Sequence, residues 1–362
     1  MQYRKLGKTG LEVSAVGLGC AQLGSSSTEY AVQIVQRALE LGVNYLDTAR
    51  GYWDSEVKMG IALKGQRQKA LISTKTVART REDAWRQIHE ALERLQTDYL
   101  DNVHLHGLWD GEDFDTRFGP GGALEAVVEA KRQGLTRHIG CTSHLSRVLV
   151  KALHRYDFEV ILVPMNIAER EPLDRLIPLC QQKGVGVTIM KPLATGLLPA
   201  KLALKWLLNQ PIASAVPGAT TIEELEENAS VGSLEDMRLT RQEARQAARL
   251  MWELAHVRCR VCRACEPCPK SIPIASTLGT DVMYDHHRTM GAEAFQRFAW
   301  SSETVREDIA KRVQTIAAIE ACDDCGLCEP KCPYGLPIVQ MLRSQVAPMK
   351  EMLKLWGHAV SV

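Results

Sequence analysis

Read only for apolar and polar positions, roughly the first 230 residues alternate between short apolar runs and longer amphipathic ones. The runs SAVGLGC, VNYLDTA, ALISTKT, YLDNVHLH, RHIGCTS, VILVPMN, VGVTIMKPL and IASAVPGA are β-rich and bounded by turn formers, which predicts strands. Between them, EYAVQIVQRALELG, REDAWRQIHEALERL, GALEAVVEAKRQG and LDRLIPLCQQKG repeat apolar positions at helical spacing, and several end on the Gly expected at a helix C-cap. Eight strand–helix units in this length predict an α/β fold, a (β/α)8 TIM barrel. A doubly wound open sheet competes, but it needs a regular Gly fingerprint after its first strand, and the glycines of VGLGCAQLG are irregularly spaced. The pattern changes at the charged helix LTRQEARQAARLMWELA, which places a barrel over residues 1–235 and a smaller second domain over residues 236–362.

Barrels of this kind carry their chemistry where strands end, on the C-terminal face. After the second strand come Asp47 and Tyr52, in DTARGY; Lys75 ends the third and His106 the fourth. Taken alone, an Asp and a Tyr in a loop are ordinary turn residues. A Lys ending an apolar strand, however, is costly to bury unless a carboxylate pairs with it, and Asp47 is the natural partner. An ammonium beside a phenol lowers the phenol's pKa from about 10 towards working pH, which makes Tyr52 a usable general acid. A His beside them can donate to a substrate carbonyl oxygen or relay the proton. His104, on the same side of the strand as His106, competes for that role.

Composition matters most through cysteine. Of eleven, Cys20, Cys141 and Cys180 are scattered and read as small core residues. The other eight lie in two runs, CRVCRACEPCP and CDDCGLCEPKCP. The second is C-x2-C-x2-C-x3-C-P, the ferredoxin spacing for four-iron clusters, and the first repeats it with the last gap one residue shorter. Eight thiolates are what two four-iron clusters need. By ferredoxin logic Cys259, Cys262, Cys265 and Cys332 hold one, and Cys322, Cys325, Cys328 and Cys268 the other. Structural zinc competes, although it uses cysteine pairs set further apart. The second domain is therefore expected to be ferredoxin-like and mainly helical, with His286 and His287 as exposed loop histidines in an insert. A net charge of +1 gives no nucleic-acid footprint. No apolar run is long enough to span a bilayer, and MQYRKLGKTGLEVS lacks a signal-peptide core, so a soluble cytoplasmic protein is expected.

The chain resembles the aldo-keto reductase family, in the subgroup fused to a C-terminal ferredoxin-like domain with two four-iron clusters. The resemblance rests on YRKLGKTGLEVSAVGLG, on DTARGY with Glu56 after it, on STKT, on LHG after strand four, and on PGATTIEELEEN. It implies a catalytic tetrad of Asp47, Tyr52, Lys75 and His106, and a nicotinamide dinucleotide (NAD or NADP) held extended without a Rossmann motif. Thr142, Ser143 and Asn166 match positions that hold the carboxamide, and Lys191, Pro192 and Leu193 the loop under the pyrophosphate. Gly218, Thr220, Glu224 and Asn228 fall in the segment around the adenosine phosphate. Hydroxyl capping of the next helix is the alternative for Thr142 and Ser143. Family members that prefer the phosphorylated dinucleotide usually carry basic residues after the last strand. Here Glu223, Glu224, Glu226 and Glu227 follow, which favours NAD unless these acids only complement the helix dipole.

The expected activity is hydride transfer between the dinucleotide and a small-molecule carbonyl or alcohol. The clusters would then relay electrons, for instance to a redox partner protein, or clasp the domain. The competing reading is an iron-sulfur-dependent one-electron redox enzyme on the same barrel, with nicotinamide secondary or absent. A non-catalytic subunit is the third, against which the intact tetrad argues. Substrate choice is expected from barrel loops such as GLWDGEDFDTRFGPGG and from the cysteine domain, neither of which is readable as a pocket.

Overall fold

The computed structural model describes residues 1–24, 26–255, 257–278 and 304–355; His286 and His287 lie outside the described residues. The chain divides into two compact units, Met1–Met251 and Trp252–Val362. The division falls later than the expected 235/236 boundary. The charged helix Arg241–Ala255 starts on the first unit, where Glu243 pairs with Lys205 at 2.8 Å.

The first unit opens with an antiparallel hairpin, β1 (Tyr3–Lys5) and β2 (Glu12–Ser14). Eight parallel strands follow: β3 (Leu18–Gly19), β4 (Tyr45–Asp47), β5 (Leu71–Thr76), β6 (Leu100–Leu105), β7 (Thr136–Thr142), β8 (Val160–Pro164), β9 (Gly186–Met190) and β10 (Ser214–Ala215). Each pairs with the next in chain order. Parallel bridges from Val16 to Ala215 and from Gly19 to Gly218 bring the first strand back to the last and close the ring. That seam needs glycine: a Cβ on Gly19 would lie 2.8 Å from the Val216 carbonyl oxygen. All eight strands expected from the sequence are present.

The helices pack by the periodicity that predicted them. Thr28–Glu40 buries Ala31, Ile34, Val35 and Ala38, and Ser27 caps it by accepting the Tyr30 N–H at 3.2 Å. Arg81–Leu95 does the same with Ala84, Ile88, Ala91 and Leu95 behind a Thr80 cap. The hairpin plugs one end of the ring, where Leu6 and Val13 join Tyr45, Val160, Leu162 and Val216 in an apolar cluster. Side-chain chemistry is left to the other end, where the strands finish. Among the described residues no helix is long and apolar enough to cross a membrane.

The second unit builds one loop twice. Aligned on their cysteines, both runs read C-x2-C-x2-C-E-P, then C-P, then Ile272-Pro273-Ile274 in one and Leu336-Pro337-Ile338 in the other. Left-handed backbone falls at the same places: Val261, Arg263 and Ser271 (φ 55°, 61° and 57°) against Asp324, Gly326 and Gly335 (φ 53°, 67° and 61°). The glutamate after the third cysteine repeats its job as well. Glu266 accepts the Ala275 N–H at 2.9 Å and Glu329 the Val339 N–H at 3.2 Å, each at the start of the following helix, Ile274–Leu278 or Ile338–Leu355. Ile272, Ile274, Ile319, Leu336 and Ile338 are buried in the shared core with Leu353.

Candidate functional site

Adjacent strands bring the four polar strand-end residues together. Lys75, on β5, donates from Nζ to Asp47 Oδ1 at 2.6 Å and to the Thr48 carbonyl at 2.5 Å; both charged residues are buried. The same ammonium lies 4.9 Å from the centre of the Tyr52 ring, and that ring meets His106 edge-on at 5.9 Å. Burial works against the Lys75 charge, yet Asp47 and Tyr52 hold its pKa above the ordinary lysine value.

Tyr52 corrects an expectation. Burial of its phenol end pushes the pKa above the ordinary value, and the Lys75 charge offsets this only in part. The phenol is therefore held as a proton donor, not poised near ionisation. His106 goes the other way: burial first, then the charges of Lys75, His144 and Arg117, push its imidazole down to about 3. It is held neutral at working pH and is suited to hydrogen bonding. His104 is fully buried one layer below, filling space that Gly140 leaves open, since a Cβ there would lie 2.3 Å from its Nδ1.

The supports of this site were not apparent from the sequence. Arg94 donates to the Trp53 carbonyl and pairs with Glu56 Oε2 at 3.2 Å, while Thr74 donates to Glu56 Oε1 at 2.7 Å, fixing the turn that carries Tyr52. Lys58 donates to the carbonyls of Leu23, Gly24 and Ser26, tying the loop after β3 to the same turn. Behind His106, the buried Arg117 donates to its carbonyl at 3.2 Å. Asp113 locks that guanidinium at 3.0 Å and also pairs with Arg79 at 3.0 Å. These two residues belong to the helix Glu112–Phe118, inside the loop expected to set specificity. The Asp113–Arg117 and Phe114–Phe118 pairs at helical spacing were the available signal. His144 was also missed; its Nδ1 lies 3.5 Å from Lys191 Nζ.

The residues matched to dinucleotide binding follow one another around the same end of the barrel, after β7 to β10. Thr142 Oγ1 accepts the Gly107 N–H at 2.7 Å. Ser143 Oγ donates to the Leu108 carbonyl at 2.8 Å and accepts the Leu145 N–H at 3.1 Å. Asn166 donates to Glu169 and to the Lys191 carbonyl, and accepts the Ala168 N–H. Lys191 is left-handed (φ 54°), Pro192 is buried and Leu193 half-buried. Gly218 lies against the end of the Gln22 side chain, and its carbonyl accepts from Asn228 Nδ2 at 3.4 Å. Glu224 accepts both the N–H and the hydroxyl of Thr220, at 2.7 and 2.8 Å, and its own N–H donates to Thr221. Its carboxylate therefore serves the helix start. Asn228 Oδ1, Asp47 Oδ2 and His106 Nδ1 are buried without protein partners, which fits a site made for a polar ligand.

The eight clustered cysteines surround two cavities. One, of about 390 Å³, is lined by Cys322, Cys325 and Cys328 of the second run and by Cys265 and Cys268 of the first. The other, of about 310 Å³, is lined by Cys259, Cys262, Cys265 and Cys332. Each cavity thus mixes thiols of the two runs, three with two in the first and three with one in the second. Among the described residues no three His, Cys, Asp or Glu side chains converge closely enough to hold one metal ion. Thiols set around a cavity fit a multi-iron cluster better than a single tetrahedral zinc.

Comparison with known proteins gives the geometry its context. Residues 15–201 match the model of the aldo/keto reductase family, and residues 258–337 that of a 4Fe-4S dicluster domain. L-galactose dehydrogenase of Arabidopsis thaliana is 32% identical over 66% of this chain and 90% of its own length. An aldo-keto reductase of Bacillus halodurans, solved in its holo form, is 30% identical with a TM-score of 0.61, covering 69% of this chain and 96% of its own. A Klebsiella pneumoniae aldo/keto reductase, solved with NADP and acetate, is 26% identical with a TM-score of 0.59, covering 68% and 94%. With the first match spanning just over half of its residues, the chain belongs to the aldo/keto reductase family and carries a 4Fe-4S dicluster domain behind its barrel.

Proposed function

We propose that this oxidoreductase moves a hydride between a nicotinamide dinucleotide and a small carbonyl or alcohol, with Tyr52 as the proton donor and acceptor. The dinucleotide, when bound, supplies or accepts the hydride. In the reducing direction the Tyr52 hydroxyl gives its proton to the substrate oxygen as negative charge develops there. Lys75 stabilises the phenolate left behind, Asp47 keeps that ammonium in place, and neutral His106 donates an N–H to the substrate oxygen and orients it. The observation that carries this reading is the buried Lys75–Asp47 pair set directly against the Tyr52 ring. Tyr52→Phe keeps the ring and removes the proton, so kcat should fall by about 10²–10⁴-fold. Fluorescence quenching of NADH should change little. Near-normal carbonyl reduction by this variant would remove Tyr52 from the mechanism.

Thr142, Ser143 and Asn166 would hold the carboxamide, Lys191, Pro192 and Leu193 the pyrophosphate, and Gly218, Thr220, Glu224 and Asn228 the adenosine end. The helix Ile222–Val231 carries Glu223 and Glu224 in its first turn and no base near its start, which supports a preference for NADH. Tighter binding of NADPH sinks that preference.

Cys259, Cys262, Cys265 and Cys332 would hold one four-iron cluster, and Cys322, Cys325, Cys328 and Cys268 the other. Such clusters supply one-electron storage, which leaves room for an exchange partner protein and for the reading in which nicotinamide is secondary. NADH quenching separates the two readings. Anaerobically purified protein should contain about eight irons and eight sulfides per chain; stoichiometric zinc without iron overturns the assignment. Cysteines committed to clusters rather than to disulfides would suit a reducing, cytoplasmic compartment.

A further inference from the structure

The doubled loop permits a position-by-position comparison of the two cysteine cavities. The residue after the first cysteine is Arg260 in one run and Asp323 in the other, and each lines its own cavity. The residue after the second cysteine is Arg263 in one and Gly326 in the other, again both lining. Two residues past the fourth cysteine stand Lys270 and Tyr334. They complete matched pairs: Asp323 with Lys270 at 3.5 Å, and Arg260 over the Tyr334 ring at 4.0 Å. The backbone repeats while the charge does not.

We infer that the two cysteine sites are unequal electron acceptors, the one framed by Cys259, Cys262, Cys265 and Cys332 holding an added electron the more tightly. The inference rests on the assignment of four-iron clusters to both sites. The potential of such a cluster depends on its type, the surrounding charge, hydrogen bonds to sulfur and solvent exposure. The shared loop makes the first and third of these similar, which leaves charge and exposure to decide. Arg260 and Arg263 bring two positive charges to one cavity and favour its more negative, reduced form. Glu266 pairs with Arg263 at 3.8 Å, but Glu329 stands at the same place in the other loop, so the two glutamates offset one another in the comparison. In the other cavity Asp323 pairs with Lys270 at 3.5 Å, so these two charges largely offset each other. Two features work the other way: Lys331, the inserted residue of the longer run, and the exposure of Cys325. Lys331 and Arg263 are both exposed and screened alike, which leaves Arg260, where the other loop carries an acid, to decide the order.

The test is an anaerobic redox titration of the full, cluster-loaded chain, followed by electron paramagnetic resonance. Each reduction step takes one electron from dithionite, which is oxidised, and no bond is made or broken. The unmodified protein should show two steps separated by at least tenfold in reduced-to-oxidised ratio, about 59 mV for a one-electron couple. Arg260→Gln should lower only the upper step, and Asp323→Asn should raise only the lower one. A single potential for both sites, or each variant moving the opposite step, overturns the inference. Iron analysis keeps its failure distinct from failure of the underlying assignment. Eight irons with equal potentials refute the inequality alone, whereas fewer than eight in the unmodified chain refute the cluster assignment and the inference with it.

Discussion

The barrel site and the cysteine sites hold reactive groups still by opposite means. In the barrel, four side chains spread from Asp47 to His106 meet because neighbouring strands are in register, and a buried ion pair neutralises the charge they carry. In the second unit three thiols within seven residues are aimed by left-handed turns, and charge is left to vary around them. The first arrangement is sensitive to loss of a partner at long range. The second is sensitive to the local backbone and tolerant of charge. The difference predicts where each unit breaks.

The largest effect belongs to the barrel. Lys75→Met leaves Asp47 buried without its cation and should cost about 3–5 kcal/mol, read from urea unfolding of the barrel. Adding Asp47→Leu should recover much of that loss while leaving the enzyme inactive. A single substitution costing less than about 1 kcal/mol would mean that the pair is not what holds the strand ends.

A smaller effect belongs to the turns. Gly326→Ala and Gly335→Ala force a Cβ into left-handed backbone and should each destabilise the cysteine unit by about 1–2 kcal/mol, with earlier iron loss on heating. Ser271→Gly, the reverse change at the equivalent place, should delay iron loss by a comparable but smaller amount. If Gly335→Ala and Ser271→Gly shift iron release in the same direction, the two loops are not energetic equivalents.

The mildest test concerns pH. His106 is held at about 3, far below its ordinary 6.5, so kcat/KM should show no acid limb from this residue between pH 5 and 7. The sign for stability follows. An imidazole kept neutral in the fold adds stability that is complete above about 6.5 and is lost as pH falls towards 3, because the unfolded chain binds the proton first. His106→Asn should flatten that part of the stability profile. An unchanged slope would show that another group carries it.

Much of this was legible because the signals were of two simple kinds. Strand ends appear in sequence as polar residues closing apolar runs, so Asp47, Lys75 and His106 could be collected in order, and the cysteine runs declare themselves by spacing. What escaped depends on folding back. Glu224 reads as an acid near a ribose, and only the fold shows that its carboxylate also accepts from Thr220. Asp113 and Arg117 read as part of a polar loop because only the fold buries them behind His106. Tyr52 was expected near ionisation because its proximity to Lys75 was foreseeable and the depth of its phenol was not.

The seam of the barrel has a consequence for how the chain is made. Gly19 meets Gly218, and Val16 meets Ala215, so the first strand has no neighbour on one side until the last has been synthesised. At about 5–20 residues per second, that interval is roughly 10–40 s. As they emerge within it, the strands that carry Asp47 and Lys75 and lead to His106 have an open edge, the kind on which an unfinished sheet can pair with other strands, until the last strand closes it.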